Sequence, residues 1–148
     1  MTDLTKLWRR KEFPDADCVV RRDGTMVIMS SEQVTFDSSA PCVVLDVVAA
    51  STLASYFTYN DESSLAPLTT LFRVGDTGGW FEGGESADGR AGWFSYGEDA
   101  GEPLWVAYFR ASNPFVSGSL SDNELTVENN HGQSWSASIA APERLRAD

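Results

Sequence analysis

Cys18-Val19-Val20-Arg21-Arg22-Asp23-Gly24-Thr25-Met26-Val27-Ile28-Met29 is the stretch whose reading decides the fold. Two apolar, β-branched runs flank Asp23-Gly24. That dipeptide in that setting predicts a hairpin with a type I′ turn, whose two central residues both need positive φ. Working outward, the same alternation of short apolar runs and turn residues recurs along the chain. Val34 to Phe36, Cys42 to Val48, Tyr56 to Tyr59 and Thr70 to Val74 read as strands, with Cys42 to Val48 apolar enough for a buried one. Trp93 to Tyr96, Leu104 to Arg110, Phe115-Val116, Leu125 to Val127 and Ser134 to Ile139 continue the series. In Leu104 to Arg110, Trp105, Ala107 and Phe109 alternate with Val106 and Tyr108, the period of a strand. Asn129-Asn130-His131-Gly132 predicts a second hairpin turn.

Helical signals are few. Leu4, Leu7 and Trp8 share a face over residues 4–11, and Pro14 ends that segment, so residues 1–15 form either a short helix or an arm. Ala49 to Ala54 also has helical character. Nine or ten short strands with one or two short helices predict a mainly β domain, all-β or α+β. Its architecture would be an antiparallel sheet, an open barrel or a sandwich. With 148 residues, 42% hydrophobic and 11% aromatic, the chain reads as one domain over 1–148 that needs no metal or disulfide to fold.

The net charge is −11, from 22 acidic and 11 basic residues. Residues 1–29 carry six basic and five acidic groups, whereas residues 30–130 carry 15 acidic and three basic ones. Such a field repels phosphate backbones and anionic lipid, so no nucleic-acid and no membrane partner is expected. It favours a basic protein partner, and it equally serves solubility. The amino-terminal residues lack the apolar core of a signal peptide, and no stretch reaches the roughly 18–20 apolar residues of a membrane span. A cytoplasmic location is the expectation. Cys18 and Cys42 lie in apolar runs without metal-ligand spacing and read as buried thiols rather than a disulfide or a metal site.

Catalytic motifs are scarce. The single histidine, His131, sits in a turn sequence and has no Gly-x-Ser-x-Gly companion, so no catalytic residue is assigned. Neither a P-loop nor a dinucleotide fingerprint occurs, and no cofactor is expected. Residues 75–92 read as an acidic, glycine-rich loop holding Asp76, Glu82, Glu85 and Asp88 within 13 positions, with Trp80 inside it and Trp93 just beyond. Paired carboxylates and indoles suit a glycoside. Clustered oxygens suit calcium, but without an EF-hand pattern. An acidic rim around aromatic anchors suits a basic protein. Plain solvation by charge explains the loop equally well.

Leu104-Trp105-Val106-Ala107-Tyr108-Phe109, followed by Ser112-Asn113-Pro114-Phe115, Leu125-Thr126-Val127, Gly132-x-x-Trp135 and Pro142, resembles the end of small bacterial immunity proteins of polymorphic-toxin and contact-dependent inhibition systems. The resemblance covers roughly 40 residues and transfers no functional residue. It implies a non-catalytic protein that neutralises a cognate toxin, often a basic nuclease, by covering its active face. Asp76, Trp80, Glu82, Glu85, Asp88 and Trp93 are the expected partner contacts. The alternative is a small carbohydrate-binding or hydrolytic protein using the Trp and carboxylate groups of residues 75–93.

Overall fold

Strand β2 (Cys18–Arg21) and strand β3 (Thr25–Val34) pair antiparallel as the sequence predicts, with Val19 opposite Val27. The turn differs from expectation. Only Gly24 takes a positive φ, +92°, and its N–H donates to Arg21 O at 2.9 Å. This is a three-residue loop closed by a left-handed glycine, with Asp23 Oδ1 accepting from Thr25 N rather than adopting positive φ itself.

The computed structural model describes residues 3–34, 42–75, 79–86, 88–98 and 102–147. Helix α1 (Leu4–Arg10) is capped by Asp3, whose side chain accepts from Lys6 N, and it ends at Lys11 in the left-handed conformation (φ 54°). Strand β1 (Glu12–Phe13) follows, then β2, β3 and β4 (Cys42–Thr52). Helix α2 (Leu53–Tyr59) comes next, then a 3-10 turn at Glu62–Ser64 and β5 (Ala66–Pro67). Strands β6 (Thr69–Gly75), β7 (Trp80–Glu85), β8 (Gly92–Gly97), β9 (Trp105–Phe109), β10 (Phe115–Ser121), β11 (Glu124–Asn129), β12 (Ser134–Ser138) and β13 (Arg146–Ala147) complete the chain.

Three expectations from the sequence need correction. Ala49 to Thr52 belongs to β4, and Leu53 to Tyr59 is helix because Thr52 caps it by accepting from Ser55 N. The centre of the expected 75–92 loop, Trp80–Glu85, is strand: β7 pairs with β6 on one side and β8 on the other. The apolar run from Cys42 forms an outermost strand, and residues 46–50 of it are exposed. Of the expected Val34 to Phe36 strand, Thr35 and Phe36 lie outside the described residues.

Seven strands form one antiparallel sheet in the order β4-β3-β2-β9-β8-β7-β6, not closed into a barrel. Both faces of its centre are buried, so strand alternation sorts side chains between two cores. On β9, Trp105, Ala107 and Phe109 join one core, and Val106 and Tyr108 join the other. The first core lies against a second sheet, β10-β11-β12-β13, which contributes Phe115, Leu125, Val127 and Trp135. The second core is covered by α1, by Phe13 beside the small β1–β5 pair, and by Leu53 of α2. Cys18 is a free thiol fully buried there; burial pushes its pKa up, and the neighbouring Asp17 adds to this. No helix among the described residues is long and apolar enough to cross a membrane.

Candidate functional site

Three of the six expected contact residues meet on one face of the large sheet. Alternation along β7 sends Trp80 and Glu82 to the α1 side and Phe81 to the opposite core. Glu82 pairs with Ser95 and Gly84 with Trp93 on β8. Trp8 of α1 lies over this surface, 5.6 Å from the Trp80 ring and edge-on to Trp93 at 5.7 Å. Trp93 is fully buried, its indole N–H donating to Glu85 O at 3.1 Å. Trp80 is 6% exposed. Neither indole offers a free face on which a sugar or a partner protein could stack, and this corrects the expectation of exposed anchors.

Glu82 is 4% exposed and is the one charged residue among the buried side chains described. It accepts from Thr70 Oγ1 at 2.5 Å and faces Lys11 Nζ at 3.6 Å and Arg73 Nη1 at 3.7 Å. Each cation also covers an indole: Lys11 Nζ stands 3.4 Å from the Trp8 ring centroid and the Arg73 guanidinium 5.1 Å from that of Trp80. Burial pulls the Lys11 pKa down, and Glu82 opposes that shift. The arrangement ties the end of α1 to β6 and β7 through one interior carboxylate. Glu82 is therefore an anchor of the fold and does not present an acidic rim.

The other expected contacts lie elsewhere. Glu85 is half-buried at the end of β7. Asp88 is exposed in a turn, where the Arg90 backbone N–H, donating at 3.0 Å, holds its carboxyl below the ordinary range. Asp76 lies outside the described residues. His131 is exposed in the β11–β12 turn, where its backbone N–H donates to Asn129 Oδ1. Among the described residues no group of three potential metal ligands occurs.

Sequence reasoning missed the most exposed of the large apolar side chains described. Val47 and Val48 of β4 are 54% and 63% exposed, and Tyr59 at the end of α2 is 84% exposed. They fall within residues 23–72, a run with six acidic residues and no basic one. That charge pattern was readable; the exposure was not, because an apolar run is read as interior. A third surface is the outer face of β10–β12. Ser119, Thr126 and Ser136 stand in register across it, between a Ser121–Glu124–Ser138 row and a Ser117–Glu128–Ser134 row. An open groove of about 460 Å³ lies at one side, lined by Glu124, Ser136, Arg144 and Arg146 among others, with Arg146 bonded to Glu124 at 3.0 Å.

The fold and these surfaces define a mainly β protein with two large antiparallel sheets and a small two-stranded one, a helix-covered face and an exposed, largely apolar edge strand. Comparison of the chain with protein-family models, curated proteins and solved structures finds no match.

Proposed function

We propose that this chain acts by binding a basic protein in a fixed ratio, as an immunity protein that neutralises a cognate toxin by covering its active face. One observation carries the reading: the base-free, acidic stretch 23–72 holds the exposed apolar residues Val47, Val48 and Tyr59. Exposed apolar side chains in a segment charged with one sign suit a partner of opposite charge, which the field steers into place. The contact surface moves accordingly from Trp80, Glu82 and Trp93, which are interior, to β4 and α2. The alternative reading, carbohydrate binding or hydrolysis at residues 75–93, loses its stacking platforms because both indoles are covered.

The test is retention of partners from the source organism's lysate at about 50 mM and about 500 mM salt, where screening lengths differ severalfold. Each captured protein is then purified and assayed with and without this chain. A single basic protein, held more firmly at low salt and losing its activity at a fixed molar ratio, is the expected result. No basic protein at either salt, or an active partner in the saturated complex, would overturn the proposal.

A further inference from the structure

We infer that the outer edge of β4 is a strand-addition site that takes an extended, basic segment of a partner protein. The inference rests on the binding reading above and specifies its geometry. An open sheet ends in two strands whose outward N–H and C=O groups can template another chain, and proteins ordinarily blunt such edges with prolines, basic side chains, bulges or cover. The two edges of the seven-stranded sheet differ in this respect. At β6, Arg73 lies within the strand, the pairing skips Leu71, and β10 packs alongside. β4 is 11 residues long and contains no proline, lysine or arginine. Its protective features among the described residues are the charge of Asp46 and a bulge at Val48, where the register shifts between Ile28 and Met29 of β3.

Two further features mark this edge. Asp46, Val47, Val48, Ala49 and Ala50 are consecutively exposed, so neither face of β4 is covered there. β2 pairs with β3 only at Met26, Val27 and Ile28, whereas β3 and β4 pair on to Val34 and Cys42. Beyond Met29 the two strands thus form a two-stranded ribbon, a unit of marginal stability that a third strand would reinforce. β13 lies near β4 but pairs only with β12 among the described residues. Charge selects the occupant. Asp46 is the single charged residue of β4, residues 23–72 contain no base, and the chain carries −11 overall. A second copy would bring the same acidic field to the contact, whereas a strand alternating basic and apolar side chains matches both the charge and the exposed valines.

The test uses nine-residue peptides of alternating Lys and Val, or alternating Glu and Val, titrated into the full chain and followed by backbone amide NMR and hydrogen exchange. The expected result is saturable binding of the Lys-Val peptide, with shifts and added protection at residues 46–50. Asp46→Lys, an exposed change that leaves the core intact, should weaken that binding roughly fivefold or more. Equal binding of the Glu-Val peptide, perturbation spread over the other acidic residues instead of β4, or no binding overturns the inference. So does a dimer of the free chain that protects the same amides, since it would place a second copy on the edge. Retention of a basic lysate partner by wild type and Asp46→Lys alike would remove the strand-addition site and leave the binding reading standing.

Discussion

Glu82→Gln separates an interior anchor from a contact surface. The two side chains have nearly the same volume, so no cavity opens. Thr70 Oγ1, now 2.5 Å from an anion, would donate to a neutral amide, and Lys11 and Arg73 would lose a partner at 3.6 and 3.7 Å. Exchanging a charge-assisted hydrogen bond for a neutral one costs about 1 kcal/mol. The side chains of Lys11 and Arg73 are 42% and 56% exposed, and solvent screening holds each ion pair to about 0.2–1 kcal/mol. Relief of the buried carboxylate's desolvation offsets part of that loss. The net expectation is about 1–2 kcal/mol of destabilisation, or roughly 2–8 °C in melting temperature for a chain of this length. Urea unfolding followed by Trp fluorescence measures it, with binding of the captured partner assayed in parallel. Lys11→Met and Arg73→Met should each cost less than Glu82→Gln. An unchanged unfolding midpoint together with lost partner binding would refute the reasoning and return Glu82 to the contact surface.

Other outcomes follow from the same geometry. Gly84→Ala places a Cβ 1.9 Å from Thr69 O on β6, so the strand must shift; a loss of about 1–3 kcal/mol or more is expected in urea unfolding. Lys11 holds its proton less firmly in the folded chain than in the unfolded one, so it makes stability rise with pH between its folded value and 10.5. Urea midpoints at about pH 8, 9 and 10 should therefore show a rising contribution in wild type that Lys11→Met removes. Cys18 is buried with its pKa raised, so in a Cys42→Ser background a thiol reagent should label nothing until the protein unfolds.

Much of the architecture was legible in local patterns. The β2–β3 hairpin, the α1 face of Leu4, Leu7 and Trp8, and the alternation of Trp105 to Phe109 all appear where periodicity and turn chemistry put them. The Asn129 to Gly132 turn does too, closed by Gly132 at φ +78°. The candidate site was legible only as a cluster. Trp80, Glu82 and Trp93 do meet, but inside the protein.

The amino-acid sequence by itself determined that the chain is mainly β, antiparallel and acidic, because strand period, turn residues and charge are local or additive properties. Burial was decided by tertiary structure alone. Glu82-Gly83-Gly84-Glu85 looked like loop because glycine disfavours strands, yet Gly83 and Gly84 are strand residues. An added Cβ at Gly83 would meet the Phe72 ring at 2.6 Å, and one at Gly84 would meet the Thr69 backbone. Cys42 to Val48 looked interior because it is apolar, yet the sheet order places β4 outermost. Which strand becomes an edge depends on pairings between distant segments, and no local window of sequence contains them.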